Sequence, residues 1–232
     1  MDRLRFEILL RMADSDGKNV SRLALFSAAE RYQIMPQIDR WVVSATTAML
    51  AKHLTAVHNH NAVFSINLSG QSLSDDDILT YIETEMREAG VPASALGFEV
   101  TESAAVSNLK NAQQLIDALR RRGCKIALDD FGAGLSSFAY LKNFHVDTLK
   151  IDGSFIRDIA ENRISESMVA AITQVAKVMG LETVAEYVEN EATRKRIGEI
   201  GVNFAQGHAI GRPQSLESTL EALGNRPLYS MA

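Results

Sequence analysis

Two adjacent carboxylates, Asp129 and Asp130, close an apolar run and give way at once to a loop containing Gly132 and Gly134. A second apolar run, Val146 to Ile151, carries Lys150. Burying carboxylates is costly unless a cation or a donor pairs with them, so the stretch from Lys125 to Asp152 calls for positive charge. Neighbouring acids are placed to bridge two cations, the arrangement that clamps both the attacking and the departing oxygen of a phosphoryl displacement. Two jobs are open to Lys150 there: deprotonating or orienting a water, or neutralising charge on a transferring phosphate.

The same kind of residue recurs along the chain. Glu7, Asn67, Glu99, Asp129, Lys150, Glu186 and Gln206 lie in seven successive strand-like runs, mostly toward their C-terminal ends. In a parallel barrel those ends converge on one mouth. The set offers carboxylate and amide oxygens without histidine or thiolate, which suits Mg²⁺ or Mn²⁺ better than zinc. Arg11, two residues beyond Leu9 on the first strand, could reach a substrate phosphate. Each residue also has a plainer reading. A lone strand-end acid can cap the next helix, Asn67 can shape a turn, and Lys150 can pair with Asp129 without taking part in chemistry. It is the conjunction of the seven that argues for a site. The histidines argue the other way: His58-Asn59-His60 lacks a third ligand nearby, His53, His145 and His208 are scattered, and no serine or cysteine triad stands out.

The elements that must carry these residues follow from the patterning. Leu4 to Arg11 reads as a strand closed by the turn Asp14-Ser15-Asp16-Gly17. Ser21 caps a helix to about Gln33, and Pro36 opens another through Trp41 to about Leu54. A polar loop leads to the strand Ala62 to Leu68. Ser74 with Asp75, Asp76 and Asp77 puts acids at the positive end of a helix running to Ala89. Leu96 to Thr101 is a strand, Asn108 to Arg122 a helix closed by Gly123, and Lys125 to Asp129 a strand. A short helix over Ser136 to Asn143 precedes the strand with Lys150. Ile164, Met168, Ile172, Val175, Ala176 and Met179 recur at helical spacing, which predicts that this face packs inward. Glu182 to Glu186 and Val202 to Gln206 are strands, with helices over Glu191 to Ile200 and Ser215 to Leu223. Alternation of this kind calls for parallel strands joined by crossover helices, hence an α/β barrel or doubly wound sheet. A closed (β/α)8 barrel has eight strands, against seven here.

The totals, 232 residues, 46% hydrophobic and 23% charged with four prolines and fourteen glycines, allow a large core in one α/β barrel or two smaller domains. A net charge of -5 gives no field to attract polymeric nucleic acid. Cys124 is the single cysteine, in an apolar run, so it is expected buried and in a reducing, cytoplasmic compartment. The N-terminus lacks a signal-peptide pattern, and no stretch reaches the roughly 18 apolar residues of a membrane helix.

Seven segments, taken in order, resemble the EAL domain family. They are FEILLRM at 6 to 12, INLSGQSL at 66 to 73, FEVTES at 98 to 103, ALDDFGAGLSSFAYLK at 127 to 142, LKIDGSF at 149 to 155, TVAEYVEN at 183 to 190 and AQGHAIGRP at 205 to 213. The resemblance implies a metal-dependent phosphodiesterase that hydrolyses cyclic-di-GMP to linear pGpG by two-metal activation of water, with Mg²⁺ or Mn²⁺ as the two ions and Ca²⁺ inhibitory. The alternative it leaves open is a catalytically silent cyclic-di-GMP-binding sensor. A barrel lyase with one Mg²⁺ and a lysine base explains the polar mouth as well, though not two adjacent aspartates.

The resemblance also implies residue roles. Glu7, Asn67, Glu99, Asp129 and Glu186 match the ligands of one metal, and Asp129 with Asp130 those of the second. Lys150 matches the lysine that assists the attacking water, and Glu102 the glutamate that anchors the loop after Asp130. Gln206 and Glu189 support the water and its surroundings, while Arg11, Leu9, Asp152, Tyr187 and Arg212 fall at substrate-contacting positions. The fold implied is a TIM-like (β/α)8 barrel with one irregular antiparallel strand and an N-terminal strand upstream of Met1. Residues 1–232 would then be a single EAL-type barrel from a larger multidomain signalling protein, a homodimer through the 131–137 loop, with no membrane contact of its own. The chain departs from the family pattern at Ile8, which takes the place of the signature alanine, at Tyr187, which replaces a usual glycine, and at His208 and Gly211, where an aromatic and a serine are common.

Overall fold

The computed structural model describes residues 4–133 and 138–226. In chain order the elements are β1 (Arg5–Ile8), α1 (Arg22–Arg31), α2 (Met35–Ala51), α3 (Leu54–Asn59), β2 (Val63–Asn67), α4 (Ile78–Ala89), β3 (Leu96–Thr101), α5 (Glu102–Ser107), α6 (Leu109–Arg121), β4 (Lys125–Phe131), α7 (Phe138–Leu141), β5 (Thr148–Ile151), α8 (Gly153–Ile156), α9 (Arg163–Met179), β6 (Glu182–Ala185), α10 (Glu191–Ile200), β7 (Phe204–Ala205) and α11 (Leu216–Gly224). The seven strands follow one another in chain order in one sheet. Every strand pairing described is parallel, the geometry that crossover helices impose; an antiparallel strand is not among them.

Contacts divide the chain into two compact bodies, Met1–Phe98 with Ala118–Lys125 and Gln214–Ala232, and Glu99–Asp117 with Ile126–Pro213. In the first, β1 and β2 pair from Arg5↔Val63 to Ile8↔Ile66, and the Phe6 and Phe64 rings stack 5.0 Å apart. Helix α2 packs on α4, and α11 on α3. Phe64, Leu50 and Ile82 are fully buried, each worth about 1.5–3 kcal/mol of transfer free energy. Ser21 caps α1 through its hydroxyl, and Pro36 sits in the first turn of α2. The acids at 75 to 77 stand at the positive end of α4 as expected, with Asp77 at its N-cap, though the Asp77 side chain makes no capping hydrogen bond. Ser72–Ser74 forms a 3-10 turn before them, and Asp75 reaches back to Arg40 at 2.7 Å. Cys124 is buried beside Met86, and burial pushes its thiol up to about 12, leaving it inert.

In the second body, β4 to β7 run in parallel, and α9 lies along β5 and β6 between α8 and α10. Its buried face is not the expected one. Ile172 and Ala176 point inward with Ser165, Val169 and Thr173, whereas Ile164, Met168 and Met179 are exposed. Two polar residues in the buried stripe displaced the face that hydropathy selects.

Candidate metal centre

In a regular strand, consecutive side chains point to opposite faces, so Asp129 and Asp130 would part company. Strand β4 avoids this. Its register against β5 runs Ala127↔Thr148 and Leu128↔Leu149, then jumps to Phe131↔Ile151, an extra residue accommodated at the two aspartates. Asp130 adopts a φ of +53°, a left-handed conformation that aspartate tolerates better than most side chains. Such a bulge re-aims side chains. Here Asp129, Asp130 and Glu186 each offer a carboxylate oxygen within 4.8 Å of the others. Two oxygens bound to one divalent ion at about 2.1–2.5 Å lie no farther apart than roughly 5 Å.

Lys150, on β5, is 2% exposed. Its Nζ lies 2.5 Å from Glu99 Oε2, 2.9 Å from Asp129 Oδ1 and 2.9 Å from Glu186 Oε1. The plainer expectation, a lysine paired with Asp129, is thus part of the geometry, but two further carboxylates share the ammonium. One ammonium is shared among three buried carboxylates, with Asp130 beside them. The Lys150–Asp129 approach is an ion pair without hydrogen-bond alignment, and Asp129 Oδ1 is a buried oxygen that receives no hydrogen bond. Three neighbouring carboxylates offer oxygen donors, and one of those oxygens receives no hydrogen bond: these residues fit a hard divalent cation.

The chain leaving the bulge is held by Glu102, the buried first residue of α5. Its Oε2 accepts from the Gly132 N–H at 2.9 Å, and its Oε1 from the Tyr140 hydroxyl. Gly132 has a φ of +102°, and a Cβ there would fall 2.8 Å from the Phe155 ring, so only glycine fits. Residues 134–137 of the loop named for dimer contact lie outside the described residues.

The other candidate residues fall into separate groups. Asn67 Nδ2 donates to Glu7 Oε1 at 2.8 Å. Gln206 follows β7, and its backbone ties the end of β6: its N–H donates to Ala185 O at 2.8 Å and its carbonyl accepts from Val188 N at 3.0 Å. Asp152 caps α8, accepting from Ser154 N at 2.8 Å. Glu189 is exposed and pairs with His208 at 3.1 Å. Arg11 is exposed, with Nη1 on Leu10 O at 3.0 Å; Leu9 is half-buried and Arg212 exposed. Tyr187, beside Glu186, is 47% exposed with a φ of +53°, a conformation that costs a non-glycine residue about 1–2 kcal/mol.

Two residues with a part in this architecture carry little signal in the sequence. Tyr140 has none beyond an aromatic in a short helix. Asp39, on α2, is buried and accepts from Ser69 N at 2.8 Å and Ser72 Oγ at 2.7 Å, in the loop that leaves Asn67. Burial pushes its carboxyl above the ordinary range, and the serine hydrogen bonds pull it partly back. An acid inside an apolar helical stripe is the one sign that points to it.

The sequence pattern of the EAL domain family matches residues 2–213. Among curated proteins, the chain is 39% identical to the cyclic di-GMP phosphodiesterase PdeB of Shewanella oneidensis over 97% of its own length and 26% of that protein's. It is 39% identical to the cyclic di-GMP phosphodiesterase PdeF of Escherichia coli over 94% of its length and 29% of that protein's. The chain therefore spans under a third of the length of these relatives. Among solved structures, the PaMucR phosphodiesterase in complex with c-di-GMP superposes with a TM-score of 0.85 at 29% identity, covering 92% of this chain and 86% of that one. The Xanthomonas citri FimX EAL domain in complex with c-di-GMP gives 0.84 at 30% identity, covering 92% and 83%. The fold is the TIM-like α/β barrel architecture of those structures, and the chain belongs to the EAL domain family.

Proposed function

We propose that this chain is a metal-dependent phosphodiesterase that hydrolyses cyclic-di-GMP to linear pGpG. The observation that carries the reading is the β4 bulge, which turns Asp129 and Asp130 toward Glu186 beside a buried lysine. Two divalent ions, Mg²⁺ or Mn²⁺, would supply the Lewis acidity that activates water and clamps the phosphate oxygens. Glu7, Asn67, Glu99, Asp129 and Glu186 would hold one ion, and Asp129 with Asp130 the other. Lys150 orients the attacking water and offsets charge building on the phosphate. Water adds to phosphorus as one phosphorus–oxygen bond breaks; the sugar oxygen leaves with a proton and the ring opens to a linear dinucleotide. Glu102 keeps the chain after Asp130 in place, Gln206 and Glu189 order the surroundings of the water, and Arg11 meets a phosphate. Leu9, Asp152, Tyr187 and Arg212 are proposed to contact the substrate.

A homodimer formed through the region around the 131–137 loop, a cytoplasmic setting and a single catalytic domain within a longer signalling protein belong to the same proposal. Among the described residues no helix is long and apolar enough to cross a membrane.

The test is to incubate the protein with cyclic-di-GMP and Mg²⁺ or Mn²⁺ and follow pGpG by chromatography. Turnover in either metal, suppressed by added Ca²⁺, is the expected result. Tight binding without turnover would make the chain a silent binding module, and no binding would rule out both readings.

A further inference from the structure

The bend that aims Glu186 is held on three sides. Before it, Ala185 accepts from the Gln206 N–H at 2.8 Å; after it, the Val188 N–H donates to Gln206 O at 3.0 Å and Val188 O accepts from the Ala209 N–H at 3.0 Å. Between them stands Tyr187, with a φ of +53° that disfavours any side chain. A residue persists in such a conformation only when its surroundings over-determine it, and the surroundings here are specific. The ring lies across the Cα of Gly153, so close that a Cβ on that glycine would fall 2.1 Å from Tyr187 Cδ2. Arg157, one turn further along, puts its guanidinium 4.3 Å from the ring centroid, a cation–π contact. Gly153 opens α8 and Arg157 caps its C-terminus, and α8 is the element that directly follows the strand bearing Lys150. Tyr187 therefore ties the residue after Glu186 to the segment after Lys150, and Glu186 and Lys150 meet at 2.9 Å.

We infer that Tyr187 is a positioning residue: its ring, seated on Gly153 beneath Arg157, fixes the bend that aims the Glu186 carboxylate at Lys150 and the cation site. The inference rests on the proposed metal centre but not on turnover. Gly153 is required for space, as the seat of the ring, and a side chain at 153 is tolerated only when 187 has none.

Hydrogen exchange and Mn²⁺ calorimetry on chelator-treated protein test this. Y187G keeps a residue suited to the bend and removes the pin. It should fold, raise exchange of the Glu186 and Val188 amides on the order of tenfold, and weaken Mn²⁺ binding about tenfold. Y187F keeps the ring and should match wild type in both. G153A should reproduce Y187G by expelling the ring, yet add nothing in the Y187G background. Unchanged exchange and Mn²⁺ affinity in Y187G, with only the KM for cyclic-di-GMP raised, would overturn the inference in favour of a ring that contacts substrate alone. A G153A effect that simply adds to that of Y187G would overturn it too. The exchange comparison needs neither metal nor substrate, so failure of the proposed hydrolysis leaves it decisive.

Discussion

Asp39 and Asp129 are both buried aspartates, and the protein treats them in opposite ways. Around Asp39 the carboxylate is solvated by neutral donors, the Ser69 N–H and the Ser72 hydroxyl, and no cation is needed to complete it. Around Asp129 there is an ammonium shared with Glu99 and Glu186 and an oxygen that no hydrogen bond reaches. Closing a carboxylate with hydrogen bonds makes a structural clamp; leaving one under-compensated beside others makes a place for a cation. The difference between a structural acid and a candidate ligand lies in what surrounds each, since both are buried.

The comparison breaks most visibly at Lys150. K150M leaves three carboxylates with no ammonium, and in chelator it should lose about 3–5 kcal/mol of stability in urea titrations, part of it restored by Mg²⁺. A variant as stable as wild type would mean that the cluster does not depend on the lysine. Next in size, D130N removes an oxygen ligand at the bulge while keeping its shape. Turnover of cyclic-di-GMP should fall by roughly 100-fold, the scale of losing metal support, with little change in affinity for the dinucleotide. Unchanged turnover would remove the second metal from the account.

The smallest effect belongs to Asp39. D39N keeps an acceptor for both serine donors, so its stability at pH 7 should stay within about 1 kcal/mol of wild type. The sign of the pH dependence separates the two. Burial raises the folded-state value of Asp39, so its contribution is fully present below the unfolded value of about 3.9 and is lost as pH rises through the raised one. Denaturation curves across that window should show the fall in wild type and not in D39N; equal slopes would contradict the assignment.

How much of this is legible in the chain varies with the range of the interaction. Local apolar patterning points to the strands, and Leu96–Thr101 falls where that pattern puts it. The acids and Lys150 announce oxygen-ligand chemistry by type alone. What pattern cannot carry is conformation set by distant contacts. The bulge that unites Asp129 and Asp130 depends on a positive φ at Asp130 and on pairing with β5. Tyr187 finds its seat on a glycine from another element. Periodicity misled for α9, where Ser165 and Thr173 are buried while Ile164 is exposed. Helix α3 went unread because its histidine-rich end resembles a loop.

Calorimetric titration of Mn²⁺ into chelator-stripped protein, run beside D129N, tests the central claim most directly. The account predicts saturable binding in wild type, near two ions per chain, and its collapse in D129N. No saturable binding, or binding undiminished in D129N, would contradict the view that Asp129 and its neighbouring carboxylates are gathered to receive a cation.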